Sequence, residues 1–324
     1  MALVQTASIH QSGSLTAVPL WDILDAQAQI TMEPQGGLMP RTLDRAPTTA
    51  NIPELRQRAF RLREAMLTMA AGKGEGYVAQ GLGMADCLAA LYFHELCHDP
   101  ARPDWPERDR FLLSTGHYSI AMYAVLAEAG YLDPSELPTY GLNGSRLPMS
   151  TFDDLPGMEI VGGSLGQGLG QAVGMGAALR LDGSPARVFC EVSDGELQEG
   201  STWEAFMSGA TFKVDNVVAL IDCNGVQADG AIHVALEPVA DKIASFGWDT
   251  VEINGNNMDS LITALHGARA RDGRPKAIVM RTTPGCGIPT LERRERAHFV
   301  RIPAEEWQAV WDELQAGRPE AHHD

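Results

Sequence analysis

The sequence predicts an α/β fold in which a parallel sheet is flanked by helices on both faces. Three observations predict it. Residues 188–192 (V-F-C-E-V) and 217–221 (V-V-A-L-I) are short apolar runs of the length and composition of buried strands. A helical stretch, about residues 199–212, lies between them, and two buried strands joined by a helix make a parallel βαβ unit. The same rhythm recurs downstream as a strand at 248–253, a helix at 258–270 and a strand at 276–282.

The chemistry concentrates where the first two strands end. One runs into Asp194-Gly195 and the other into Asp222-Cys223-Asn224-Gly225. Ligands of parallel sheets bind outside the carboxyl ends of the strands. A carboxylate, an amide oxygen and backbone carbonyls are hard oxygen donors of the kind Mg²⁺ or Ca²⁺ takes, and Mg²⁺ completes its shell with phosphate oxygens and water. Gly195 lets a diphosphate approach the backbone, and the following helix presents its amide N–H groups to the anion. Either turn alone is an ordinary strand exit. The pair at this spacing, with Glu199 and Glu204 between, points to a metal–diphosphate site.

Composition bounds the partners. The 324 residues suffice for one large α/β domain or two smaller ones. Hydrophobic residues make up 44 % and charged residues 21 %, ordinary for a soluble globular chain. A net charge of −17 argues against nucleic acid or an anionic membrane as partner, since phosphate surfaces demand a basic face. The five cysteines are scattered and contain no C-x-x-C pair, so neither a zinc site nor a disulfide framework is indicated. Without a basic-then-apolar leader or a long apolar span, the expected location is cytoplasmic.

Taken in order, residues 1–50 show weak periodicity and much Gln, Thr, Pro and Gly. They read as an extended arm with a short helix about residues 21–28, either a flexible tail or, through Leu20, Trp21 and Ile23, a segment that docks on a partner subunit. The main domain is expected over 51–316, followed by a tail at 317–324. Asn51 caps a helix over 51–71 that Gly72 ends, and a glycine-rich loop (G-K-G-E-G-Y-V-A-Q-G-L-G) follows, lacking the spacing of a P-loop. A buried helix is expected at 84–97, a strand at 108–114 and a helix opening at Thr115-Gly116-His117. His117 then sits at a helix start behind a strand, a place for an anion. A long loop spans 132–157, a glycine-rich opening at 162–170 leads into a helix to 179, and charged residues 292–296 read as a solvated helix face. A last helix, 304–316, buries Trp307, Val310, Trp311 and Leu314.

These stretches resemble the transketolase family. S-D-G-E-L-Q-E-G and I-D-C-N-G-V-Q-A-D-G resemble its thiamine diphosphate motif, G-D-G and then Asn, with Ser193 in place of the first Gly. R-D-R-F-L-L-S-T-G-H, G-G-S-L-G-Q-G and the R-T-T-P-G-C-G…H run match further family segments in register, so the resemblance covers about residues 51–314. It implies the thiamine diphosphate-binding fold (PP domain), with thiamine diphosphate and Mg²⁺ (or Ca²⁺) as cofactors. It implies that Asp194, Asn224 and the carbonyl of Val226 hold the metal, and that His117, Gly163, Leu165, Gly195, Glu196, Asn224 and His298 bind the cofactor. The resemblance also places His117, His298, Tyr77 and Glu199 in the catalytic set, Glu199 facing a subunit boundary. Two departures stand out. Tyr77 occupies the position of a family histidine, with a phenol pKa near ~10 that makes it a poor base at neutral pH. Asn143-Gly144-Ser145-Arg146-Leu147-Pro148 stands where the family carries G-H-P, a contact to the donor's two-carbon fragment.

The family's catalytic glutamate belongs to a pyrimidine-binding domain, and no residue here takes that role. The resemblance therefore implies the amino-terminal subunit of a split enzyme, an α₂β₂ heterotetramer with a separate pyrimidine-domain chain. It would transfer a two-carbon unit from a ketose (sugar phosphate) or 2-oxo acid donor to an aldehyde acceptor. Two alternatives stand beside it: a thiamine-dependent 2-oxo acid decarboxylase or dehydrogenase component, and a non-catalytic regulatory subunit.

Overall fold

The central strands of the sheet are apolar on both faces, and the edge strand over 249–254 is polar and partly exposed. The computed structural model describes residues 49–152 and 155–320; the expected arm, its helix at 21–28 and the end of the tail lie outside them. In chain order the elements are α1 (Ile52–Lys73), β1 (Glu75–Gly76), α2 (Val78–Ala90), β2 (Arg110–Leu113), α3 (Ser119–Glu128) and α4 (Gly168–Leu181). Then come β3 (Val188–Ser193), α5 (Gly200–Thr211), β4 (Val217–Cys223), β5 (Val226–Gln227), β6 (Gly230–Ala231) and α6 (Val239–Ser245). The chain continues through β7 (Asp249–Asn254), α7 (Met258–Gly267), β8 (Lys276–Arg281), α8 (Pro289–Glu292), β9 (Val300–Arg301) and α9 (Trp307–Ala316).

Five strands pair in the order β2-β3-β4-β8-β7, every pair parallel. Successive side chains of a strand alternate between faces, and the core divides accordingly. Phe111, Leu113, Phe189, Val218, Leu220, Ile278 and Met280 pack with α1, α2, α3 and α7. Leu112, Val188, Cys190, Val192, Val217, Ala219, Ile221 and Val279 pack with α4, α5 and α6. The predicted α/β architecture with helices on both faces is the one observed. All the strands of this sheet point the same way, so the turns after β2, β3, β4 and β8 emerge at one end.

Local signals place most boundaries. Asn51 caps α1, its side chain accepting the Glu54 amide at 3.2 Å. Asn257 caps α7 in the same way through Ser260. Several expectations need correction. Gly72 does not end α1; the helix runs to Lys73, and Gly74, with φ +80°, makes the left-handed cap. The glycine-rich stretch is only partly a loop, because α2 begins at Val78, well before the expected residue 84, and continues past Ala90 as a π-helical turn, Leu91–Glu95. Its glycines serve close packing: a Cβ on Gly81 would lie 2.8 Å from Ile120 Cγ2, and one on Gly83 would lie 3.0 Å from the Thr283 carbonyl. A 3₁₀ turn, Gly116–Tyr118, precedes α3. Charged residues 293–296 are turn rather than helix, and α9 starts at Trp307, with Trp307 and Trp311 only partly buried against the core.

The short antiparallel pair β1–β9 has a functional consequence. It aligns Glu75 with Arg301 and Gly76 with Val300, which brings the next residue of one strand, Tyr77, beside the residues that lead into the other, His298 and Phe299.

Packing around Gly81 generates a stability test. Gly81→Val overfills the contact with Ile120 and Met66, and a loss of about 1–3 kcal/mol is expected. Gly174→Ala, in an open position of α4, is expected to gain about 0.5–1 kcal/mol. Urea denaturation midpoints of the two variants check the opposite signs.

Candidate active site

Carboxyl groups dominate the end of the sheet where β2, β3 and β4 stop. Glu191, Asp194, Glu196 and Asp222 are all buried, with at most 5 % exposure. Among the described residues none of the four makes a salt bridge, although the chain has many elsewhere. Burial is the first cause raising each pKa, and neighbouring carboxylates add to it for Glu191, Asp194 and Glu196. Burial alone drives Asp222 upward, against hydrogen bonds from Thr282, Asn224 and Tyr118. Asp194 is pushed up to about 7.

Hydrogen bonds from three loops converge on these carboxyls. Asp194 Oδ1 accepts from Gly195 N at 2.8 Å, and Asp194 Oδ2 accepts from Gly225 N at 2.7 Å, tying the exits of β3 and β4 together. Asn224 Oδ1 accepts from Val226 N at 2.9 Å, and the β5–β6 hairpin fixes Val226. Glu191 accepts from both the amide and the hydroxyl of Thr115, at 3.1 and 3.0 Å, anchoring the turn that carries His117. Glu196 Oε1 accepts from Ser114 Oγ and from Gly166 N, and Ser114 Oγ accepts in turn from Gly168 N at 3.0 Å. Glu196 thus pins the glycine-rich loop, while its other oxygen is buried without a partner.

That loop also sits hard against the His117 turn. A Cβ on Gly116 would fall 2.2 Å from the Gly162 carbonyl carbon, so no larger residue fits there. Gly163 is exposed, with φ +129°, and Leu165 is half-buried.

The aromatic residues form a second group. Tyr77 lies 4.7 Å from His117 and 5.3 Å from His298, ring centroid to centroid, and the two histidines are 5.0 Å apart. Gln80 Nε2 meets His298 Nδ1 at 3.1 Å. Burial, and secondarily His298, lowers the His117 pKa to about 3; burial lowers that of His298. Both rings are therefore neutral at pH 7. Glu199 is exposed and occupies the residue before α5. Sequence reasoning named Asp194 and Glu196 among the buried acids, Asn224 and Val226 beside them, and Tyr77, His117 and His298 in the aromatic group; it missed Glu191 and Asp222, and Ser114, Tyr118 and Thr282, which bond to these acids. For Glu191 and Asp222 the signal was present as an acid inside an apolar strand.

The arrangement suits a divalent cation with a diphosphate. Asp194, Asn224 and the Val226 carbonyl are hard donors from adjacent loops, and the surrounding buried acids are short of positive charge. Open space fits the anion: a Cβ on Gly225 would meet nothing within 4 Å, and one on Gly195 only Ser193 Oγ at 3.8 Å. No cluster of three His, Cys, Asp or Glu side chains able to ligate a metal occurs among the described residues, so any metal here leans on amide and carbonyl oxygens.

An all-parallel sheet whose carboxyl ends carry such a site is an α/β protein of the thiamine diphosphate-binding fold. Comparison with known proteins bears this out. Residues 59–317 match the model of the transketolase thiamine diphosphate binding domain. A transketolase family protein of Sinorhizobium fredii is 49 % identical over 267 residues, covering 81 % of this chain and 96 % of that protein. The 6-deoxy-6-sulfo-D-fructose transketolase subunit SqwG of a Clostridium species is 36 % identical, covering 81 % of this chain and 96 % of its own length. One of the separate subunits of the apulose-4-phosphate transketolase of Actinobacillus succinogenes is 34 % identical, at 83 % and 98 % coverage. The solved transketolase of Campylobacter jejuni superimposes with a TM-score of 0.75 at 29 % identity, over 84 % of this chain and 45 % of that one. The chain belongs to the transketolase family, and it spans less than half the length of that solved enzyme while nearly spanning the separate subunits. Among the described residues no helix is long and apolar enough to cross a membrane.

The carboxyl cluster dictates a pH response. Asp194 has a folded pKa of about 7 against an ordinary 3.8, so between those values the folded state holds the extra proton. Stability of the metal-free chain is therefore expected to fall as pH rises through that window and to level off above it, by on the order of 4 kcal/mol from this residue. Asp194→Asn should flatten the profile whatever its absolute stability. Denaturation in EDTA across this range measures it.

Proposed function

We propose that this chain is the amino-terminal subunit of a split, thiamine diphosphate- and Mg²⁺-dependent transketolase. On this reading it moves a two-carbon unit from a ketose donor to an aldehyde acceptor, with a separate pyrimidine-domain chain, as an α₂β₂ heterotetramer in the cytoplasm. The observation that carries the reading is that Asp194 and Asn224 stand at the ends of adjacent parallel strands whose exits are tied by the Gly225 amide on Asp194, beside open glycine positions and within a cation-poor cluster of buried acids. The partner follows from relatives of matching length that are named as subunits.

Asp194, Asn224 and the Val226 carbonyl hold the metal, with Ca²⁺ as a substitute. Gly195 and His117 take the diphosphate, and Gly163, Leu165 and Glu196 shape the loop over the thiamine. When bound, thiamine diphosphate supplies the electron sink that makes carbon–carbon cleavage accessible. The chain's own work is positional and electrostatic. Neutral His117 and His298 accept or donate hydrogen bonds at the donor's hydroxyls, Tyr77 offers a phenolic proton where the family has histidine, and Glu199 meets the partner. The related subunits act, by their names, on a sulfo-fructose and an apulose phosphate, ketoses with an anionic end. We assign this chain a donor of that class. A 2-oxo acid donor is the second reading, favoured by the segment that replaces G-H-P: Leu147 is buried and Arg146 is bound to Glu136 at 2.7 Å, so neither takes over the histidine's role directly.

The test is turnover by this chain co-purified with a pyrimidine-domain partner, thiamine diphosphate and Mg²⁺. Xylulose 5-phosphate, hydroxypyruvate and pyruvate are each offered with an aldehyde acceptor. Consumption of the ketose phosphate only with the partner present is expected. Pyruvate as sole donor would assign the 2-oxo acid branch, and full activity without a partner would refute the half-site. Tyr77→Phe is expected to lower kcat/KM about 10-fold or more by loss of one hydrogen bond at the donor. An unchanged value would reduce Tyr77 to packing.

A further inference from the structure

We propose that Asp222 and Tyr118 are positioning residues that decide which end of the Asn224 amide faces the metal, an inference that rests on the functional reading above. An Asn side chain is almost symmetric in shape, yet one end accepts hydrogen bonds and the other donates them. Only the oxygen end can ligate a hard cation. A metal site that relies on an amide therefore needs something to fix the amide's orientation.

The structure supplies it. Asn224 Nδ2 donates to Asp222 Oδ2 at 2.7 Å and to the Tyr118 hydroxyl at 2.8 Å. Tyr118 itself donates to the same Asp222 oxygen at 3.0 Å, closing a three-membered ring of contacts. Turning the amide over would set its oxygen against a carboxylate oxygen, two acceptors face to face inside the protein, where such a pairing is most costly. The preferred orientation leaves Asn224 Oδ1 toward Val226 N, in the loop whose Gly225 amide is bound to Asp194. All three metal candidates are thereby brought into one register.

Asp222 is suited to this task and not to ligation. Its residue is 1 % exposed, and its two oxygens are occupied by donors from Thr282, Tyr118 and Asn224. Tyr118, 2 % exposed, is the residue after His117 in the same turn. One contact ring thus joins the metal loop after β4 to the turn that carries His117. Ligating groups in metal sites are commonly held by such outer partners, whose loss costs about 10–100-fold in metal affinity.

The test is Mn²⁺ affinity of the full chain co-purified with its pyrimidine-domain partner, with thiamine diphosphate present, read by electron paramagnetic resonance titration, with circular dichroism as a check of folding. Asp222→Ala frees the amide and is expected to weaken Mn²⁺ binding about 10–100-fold. Asp222→Asn can still place an oxygen against Asn224 Nδ2 and Tyr118, and is expected to stay close to wild type. Tyr118→Phe removes one acceptor of two and should fall between them. Because it deletes a single hydroxyl, Tyr118→Phe decides the matter against Asp222→Asn should Asp222→Ala fail to fold. Unchanged affinity in Asp222→Ala or, where that variant is unfolded, in Tyr118→Phe overturns the proposal, as does an equal loss in Asp222→Asn and Asp222→Ala. A wild-type chain that binds neither Mn²⁺ nor thiamine diphosphate with the pyrimidine-domain partner present would instead overturn the functional reading.

Discussion

Burying acids without bases is the constraint around which the active end of this protein is organised. A carboxylate taken out of water loses hydration that only hydrogen bonds, a proton or a cation can replace. Here Glu191, Asp194, Glu196 and Asp222 are gathered at the exits of two adjacent strands, and none forms an ion pair among the described residues. Elsewhere the chain solves the same problem differently: buried Glu95 and Asp109 share Arg187, and Asp86 binds Arg63 at 2.6 Å. The contrast matters. Arg187 and Arg63 match the buried acids on the rest of the chain; at the carboxyl end of the sheet the four acids are matched by hydrogen bonds alone among the described residues.

The unmatched acids also do the mechanical work of the site. Between them they bind several loops together: Glu191 holds Thr115, Glu196 holds Ser114 and Gly166, Asp194 holds Gly195 and Gly225, and Asp222 holds Tyr118, Asn224 and Thr282. Loops are ordinarily the most variable part of an α/β protein. Here the loops after β2, β3, β4 and β8, together with the glycine-rich loop before α4, are cross-linked through carboxyls rooted at or beside the ends of strands. A site that must receive a diphosphate within a few tenths of an ångström gains the preorganisation that such anchoring provides.

How much of this was legible in sequence follows from which signals are local. The strands at β3 and β4 were legible because both faces are apolar, and Asp194 and Asn224 because they punctuate those strands. The cap at Asn51 was legible as short-range chemistry. The early start of α2 was not, since glycines at 81 and 83 read as loop until their close neighbours, Ile120 and the Thr283 carbonyl, are known. Nor could the sequence disclose that β1 and β9, two residues each and far apart in the chain, pair so as to set Tyr77 beside His298. Glu191 and Asp222 were hidden differently: each is an acid within a buried strand, and its meaning depends on Thr115 and Tyr118, supplied by the turn after another strand.

The aromatic group shows why the same end of the sheet needs two kinds of surface. His117 and His298, 5.0 Å apart and held below their ordinary pKa by burial, carry no charge at pH 7. Neutral imidazoles can still offer directional hydrogen bonds to hydroxyl or carbonyl oxygens. Tyr77 completes the same surface with an apolar ring and one hydroxyl, and Phe299, 5.1 Å from it, continues it with none. The charge-poor wall and the acid-rich floor are thus chemically distinct surfaces. Their separation depends on the Thr115–Tyr118 turn, which sends His117 to the wall and Tyr118 to the floor.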